Sequence, residues 1–175
     1  MAFLNPETVI SALGIEPGMN VADFGCGPGF YSIPIAKAIG PNGKVYALDV
    51  QKSSLEIVRS KAKEARLLNV NPIWADLEHA GGSHVADASI NVALLSNVLF
   101  QSDHKKEMIA EAFRILKSRG TIAVIDWSSA ASGGPAPERL VNRAHAEKLL
   151  TEAGFTPLGE FPAGSNHYGL LFRKT

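Results

Sequence analysis

A chain of 175 residues, 46% of them hydrophobic, has the length of one domain and can bury a core without covalent staples. Its 17 basic and 17 acidic residues cancel, which argues against a broadly basic nucleic-acid face, and its one cysteine excludes an internal disulfide. The opening MAFLNPETVI lacks the basic-then-apolar pattern of a secretory signal, and no apolar run approaches the roughly 18 residues of a membrane span, so a cytoplasmic enzyme or binding protein is expected.

Asn5, Pro6 and Glu7 read as a helix start: a capping side chain, a first-turn proline and an early acid. That helix ends near Gly14. The first strand is Asn20–Phe24, followed by a glycine-rich turn and a helix over Tyr31–Ile39. GKVYALDV carries strand two, Lys44–Asp49. A longer helix, Ser53–Leu68, places Leu55, Val58, Ala62, Ala65 and Leu68 on one face. Strand three is Pro72–Ala75, GGSHV is loop, and ASINVALL is strand four. The next helix starts near Ser102–Asp103, ends by Gly120, and has Met108, Ile109, Ala112, Ile115 and Leu116 on its apolar face. TIAVIDW is strand five. SSAASGGPAP, residues 128–137, reads as a mobile loop. RAHAEKLLTEAG is a helix closed by Gly154, and strands near Thr156–Phe161 and Tyr168–Arg173 make a C-terminal antiparallel hairpin. The expected fold is a single α/β domain over 1–175: a Rossmann-like, doubly wound, mostly parallel sheet of seven strands. Ligands in such sheets bind at the carboxyl ends of the strands.

VADFGCGPGF is where strand one meets that end. Gly25, Gly27 and Gly29 form G-x-G-x-G, whereas a dinucleotide loop has G-x-G-x-x-G. A purely structural glycine turn satisfies the same pattern. Three further features point to an adenosine-containing ligand. Asp49 ends strand two, where a carboxylate accepts both hydroxyls of a ribose; a helix cap is the alternative. Asp76 follows strand three in WADLE, where its carboxylate suits an adenine amino group and the Leu77 N–H a ring nitrogen; a turn aspartate is the alternative. Ser96 and Asn97 lie just past strand four, at the rim of the same cleft.

Together with FRILKSRGTIAVID, these stretches resemble the class I S-adenosylmethionine-dependent methyltransferases over nearly the whole chain. VADFGCGPG resembles that family's first motif, VYALDV its ribose segment, WADLE its adenine segment, and EAFRILKSRG the helix and turn before strand five. Among subgroups the chain is most similar to the ubiquinone/menaquinone-biosynthesis C-methyltransferase-like (methyltransferase type 11) group, through Gly134–Arg139 and Glu152–Phe155. One departure is Ser118-Arg119-Gly120, where the group carries Pro-Gly-Gly. The resemblance implies S-adenosylmethionine as cofactor, with Asp23, Gly25, Cys26, Gly27, Gly29, Asp49, Val50, Asp76, Leu77, Ser96 and Asn97 around it. The glycines let backbone approach the methionine end, and the following helix offers free N–H groups to its carboxylate. Asp23 meets the methionine ammonium through water, holds the loop's own N–H groups, or does both.

Methyl transfer from a sulfonium is an in-line displacement that releases a neutral thioether, so alignment and a dry pocket suffice unless the acceptor must lose a proton. The candidate bases are His104, at the start of the helix after strand four, and Asp126, after strand five. His79, His84, His145 and His167 read as solvated surface residues, and Cys26 as packing inside the loop. Two histidines around glycines in EHAGGSH do not make a metal site, so none is assigned. A small-molecule acceptor is expected, walled by Ser128–Pro137, the N-terminal helix and the segment after Ser96, with no nucleic acid and no membrane as partner. The alternatives are an RNA or protein methyltransferase and a catalytically silent cofactor-binding partner protein.

Overall fold

The computed structural model describes residues 5–129 and 134–175. Seven strands form one sheet in the order β3-β2-β1-β4-β5-β7-β6: β1 Asn20–Phe24, β2 Lys44–Asp49, β3 Val70–Trp74, β4 Ile90–Ser96, β5 Leu116–Trp127, β6 Phe155–Phe161 and β7 His167–Lys174. Pairing is parallel from β3 through β5; β7 alone runs against its neighbours β5 and β6. The chain winds outward from β1 to β3, then returns to place β4 on β1's other side. The crevice at that reversal opens at the carboxyl ends of β1 and β4.

Strand faces alternate, and each covers a different apolar layer. Val21, Val45, Leu94 and Ile125 pack against α1 (Pro6–Ala12) and α2 (Ser32–Ile39). Ala22, Phe24, Leu95 and Val124 pack against α4 (Lys105–Ile115) and α5 (Arg143–Glu152). Helix α3 (Lys52–Glu64) covers Ala47 with Leu55 and Val58, and Cys26 joins that cluster. Helix α1 begins as its sequence indicates: Asn5 Oδ1 accepts the Glu7 N–H at 3.0 Å.

Two helices end earlier than their apolar periodicity suggests. Arg66 takes a left-handed φ of 54°, and the Leu67 N–H returns to the Ala62 carbonyl at 2.8 Å. This closes α3 without a glycine. Leu67 thereby turns toward the core, and Leu68, expected on the packed face, is fully exposed. Helix α4 stops at Ile115 because Leu116 is already extended, buried and paired with Ile90. The Ser118-Arg119-Gly120 departure lies in the irregular start of β5, where Arg119 adopts φ 66° and a Cβ at Gly120 would meet the Lys117 carbonyl at 2.9 Å.

Of the expected loop 128–137, residues 130–133 lie outside the described residues. Its two ends are fixed. The Ser128 N–H donates to the Asn166 carbonyl at 2.8 Å, and a 3-10 turn, Pro137–Arg139, precedes α5. Among the described residues no helix is long and apolar enough to cross a membrane.

Candidate functional site: a glycine cradle at the strand ends

The turn after β1 is built on positive backbone angles at all three glycines: φ 66° at Gly25, 50° at Gly27 and 81° at Gly29. Only glycine takes these without strain. A side chain at Gly25 would meet Val98 Cγ2 at 2.8 Å, and one at Gly29 would meet Val58 Cγ2 at 3.1 Å. At Gly27, by contrast, a Cβ would meet no atom within 4 Å. The outer glycines are required by the protein's own packing; the middle one leaves bare backbone facing open space.

Strand β2 holds the cradle. The Gly25 and Cys26 N–H groups donate to the Leu48 carbonyl at 2.8 and 3.0 Å. The Gly27 N–H donates to Asp49 Oδ2 at 2.8 Å, and the Gln51 N–H to Oδ1 at 2.8 Å. Asp49 is therefore both a turn cap and a brace for the loop. Each of its oxygens keeps a lone pair, so the ribose role and the capping role are compatible. Val50 beside it is exposed, and its carbonyl accepts the Trp74 indole N–H at 2.9 Å. Trp74, half exposed at the end of β3, gives this rim a flat aromatic surface that the sequence reasoning missed. Asp76 accepts the Glu78 N–H at 3.1 Å in a tight turn, with His79 at 3.3 Å. Leu77 is buried in the core.

Asp23 is buried beneath the loop. Its partner is the Ser32 hydroxyl at 2.6 Å, at the first residue of α2, rather than a loop N–H. Burial raises its carboxyl to about 6, against the Ser32 bond and with help from the Asp49 charge. Burial likewise pushes the Cys26 thiol up, which suits packing and not nucleophilic attack. Tyr31 precedes α2; burial raises its phenol to about 12, a hydrogen bond with Ser96 opposes this, and the Asp23 charge reinforces it. No side chain caps the N-terminus of α2. Asn97 closes the cleft from β4 with a left-handed φ of 54°, and its Oδ1 is buried with no partner among the described residues.

These features fit the methionine end of S-adenosylmethionine. The open space at Gly27 lets a ligand approach, and the uncapped N-terminus of α2 suits a carboxylate; the orphaned Asn97 oxygen and the buried Asp23 suit an ammonium.

The candidate bases are placed elsewhere in kind. Asp126 is fully buried, and its oxygens accept the Trp127 N–H at 2.8 Å and the Phe100 N–H at 3.3 Å. Burial raises its carboxyl to about 6, opposed by these backbone donors. It anchors a turn in this structure. His104 occupies the position before α4 without a capping hydrogen bond, its ring more than half exposed and Glu107 at 3.9 Å. His167, expected at the surface, stacks on Trp127 with ring centroids 4.3 Å apart. Its Nε2 is buried without a partner among the described residues. It borders a cavity of about 640 Å³ at the same end of the sheet, with Asn142, Arg143, Glu160 and Phe161 in its walls. Only the cross-strand pairing of Trp127 with His167 brings these rings together, and no local motif signals that pairing.

The comparisons with known proteins agree with this geometry. The model of the methyltransferase domain family matches residues 15–155. A demethylmenaquinone methyltransferase of Listeria welshimeri is 34% identical over 124 residues, covering 70% of this chain and 50% of that protein. The chain spans about half the length of the curated relatives it matches. A SAM-dependent methyltransferase from Aquifex aeolicus superposes with TM-score 0.89 at 25% identity, over 99% of this chain and 91% of that one. A type 11 methyltransferase structure from Sulfolobus solfataricus gives TM-score 0.76 at 25% identity, over 97% and 91%. The fold and cradle are those of a class I S-adenosylmethionine-dependent methyltransferase. The chain belongs to the methyltransferase domain family; its curated relatives include demethylmenaquinone methyltransferases, and its structural neighbours include a type 11 methyltransferase.

Proposed function

We propose that this protein transfers the methyl group of S-adenosylmethionine to a small organic acceptor, and that a reduced quinone ring is the first acceptor class to test. The observation that carries the cofactor half is the open space at Gly27, between two glycines that the protein's own packing requires. The acceptor class is supported by the likeness to demethylmenaquinone methyltransferases and by the Trp127–His167 ring pair beside the 640 Å³ cavity. The cofactor supplies a methyl on a sulfonium and leaves as a neutral thioether. This chain's residues hold and orient it. Gly25, Cys26, Gly27 and Gly29 shape the cradle; Asp49 and Val50 serve the ribose; Asp76 and Leu77 serve the adenine; Asp23, Ser96 and Asn97 serve the methionine end. A cytoplasmic location fits this chemistry.

The test is incubation with methyl-labelled cofactor and reduced demethylmenaquinone, alongside fractionated cell extract. Label in the organic-soluble fraction is the expected result. Label in RNA or protein, or none despite cofactor binding, overturns the acceptor assignment.

A further inference from the structure

The segment after the loop at 128–137 contacts the turn that follows β4. Arg139, in the 3-10 turn before α5, donates from Nε to the Phe100 carbonyl at 3.1 Å and from Nη2 to the Gln101 carbonyl at 3.0 Å. Its Nη2 also lies 3.2 Å from Asp103 Oδ1. Phe100 and Gln101 belong to a second 3-10 turn, Leu99–Gln101, directly after Asn97 and Val98. From the opposite side the buried Asp126 carboxylate takes the Phe100 N–H. The turn is thus gripped at its carbonyls by Arg139 and at its N–H end by Asp126. On its N-terminal side stands Val98, whose Cγ2 lies 2.8 Å from where a Cβ of Gly25 would be. One contiguous path runs from Arg139 through Leu99–Gln101 and Val98 to the cradle.

Neither end of that path is free to move independently. The Val141 carbonyl accepts the buried Tyr168 hydroxyl at 2.8 Å, and Asn142 caps α5. At the other end, the Gly25 N–H is fixed to β2. Arg139 is the link between the two anchored segments: its guanidinium makes the described hydrogen bonds between segment 134–142 and the turn after β4.

We propose that Arg139 is a positioning residue that couples the acceptor-side segment 134–142 to the cofactor cradle through the turn Leu99–Gln101. The proposal rests on the reading of that cradle as the S-adenosylmethionine site. Order imposed on the Gly25 loop by ligand fixes Val98 and the turn, and Arg139 passes that order to the segment bordering the cavity. Two successive carbonyls, those of Phe100 and Gln101, need the planar fork of a guanidinium, which a lysine ammonium does not reproduce.

Hydrogen exchange of the full chain with and without saturating S-adenosylhomocysteine tests this, with affinity measured separately by calorimetry. In the wild type the ligand slows exchange of amides 134–142 by at least about fivefold, the lower bound of ordinary coupling between sites. Arg139→Ala reduces that slowing to less than about twofold while affinity stays within about threefold. Asp103→Ala, which removes only an exposed ion pair, leaves the slowing intact. Arg139→Gln carries the same test where the alanine variant does not fold. A wild type that binds the ligand without protecting 134–142, or an Arg139→Ala variant that keeps the full protection, overturns the coupling alone. A wild type that binds no S-adenosylhomocysteine overturns the cofactor reading and the coupling with it.

Discussion

The carboxyl end of the sheet has two unlike halves. Around β1, β2 and β3 the surface is backbone: glycines at positive φ, N–H groups braced on Leu48 and Asp49, and an uncapped helix. Around β5, β7 and β6 it is side chains from distant segments: Trp127 on His167, Arg143 at 2.8 Å from Glu160, and Arg139 on Phe100. A site made of backbone constrains its own local sequence, because only certain residues permit the conformation. A site made of side chains constrains pairs far apart in the chain. One half can hold the same cofactor in many proteins while the other changes its acceptor.

The largest effect that separates the halves is expected at Gly25. Gly25→Ala combines a left-handed backbone, costing about 1–2 kcal/mol, with a forced shift of Val98, costing about 1–3 kcal/mol. Thermal melting should report a loss of about 3 kcal/mol, and calorimetry an S-adenosylhomocysteine affinity at least about a hundredfold weaker. Gly27→Ala should lose the affinity but only about 1 kcal/mol of stability, since a Cβ there meets nothing in the protein. Equal stability losses in the two variants would show that Gly27 also serves only the protein's packing.

Asp49→Ala comes next. It removes the acceptor of the Gly27 and Gln51 N–H groups as well as the proposed ribose contact. Charge-assisted bonds of this kind contribute about 1.5–3 kcal/mol each, so binding should weaken at least tenfold in a folded protein. Unchanged affinity would reduce Asp49 to a cap.

The same contrast explains what was legible in the sequence. Alternating strands and helices, the bounds of β1 and β2, and the Asn5 cap follow from local pattern and appear in the structure as read. Helix ends are less local. Periodicity carried α3 to Leu68, but Arg66 supplied a left-handed closure usually marked by glycine. Leu116 continued the apolar face of α4 in sequence, yet pairing with Ile90 made it strand. At the end of β1, the glycine turn and Asp49 were visible because their spacing sets the local backbone. Ser32 under Asp23, Val98 against Gly25 and Trp74 over Val50 were not, because each is defined by a partner on another element. Asp126 shows the converse: its position at the carboxyl end of β5 marks it as a candidate base, and full burial against backbone donors makes it an anchor.

Two titrating groups, the buried Asp23 in one half and the half-buried His167 in the other, sharpen the comparison through pH. Asp23 has its carboxyl raised from 3.8 to about 6, by burial first. A raised carboxyl favours the folded state when protonated, so its contribution is full below 3.8 and is lost as pH rises through about 6. A ligand ammonium beside it reverses the preference, because binding then needs the carboxylate. Affinity for S-adenosylhomocysteine should therefore fall as pH drops below about 6, by up to about tenfold between pH 7 and pH 5, and Asp23→Asn should flatten that profile. A wild-type profile with no slope across that range would place the ammonium away from Asp23.

His167 should do the opposite and touch the cofactor least. Burial lowers its pKa from 6.5, so the folded state holds the neutral ring. A depressed histidine costs stability on acidification, beginning as pH falls through 6.5, the sign opposite to Asp23. Its buried Nε2 also lacks a partner among the described residues, a deficit of about 1–3 kcal/mol for a polar group. His167→Phe keeps a ring to stack on Trp127 and removes both penalties. Melting should show a gain of about 1 kcal/mol at neutral pH and a weaker decline below pH 6.5, with S-adenosylhomocysteine affinity changed less than about twofold. If instead the variant is no more stable, the imidazole has a partner that matters to the fold. If it is more stable but transfers methyl poorly with unchanged cofactor affinity, the unpartnered nitrogen is retained for the acceptor, and the boundary between the two halves falls between Asn97 and Trp127.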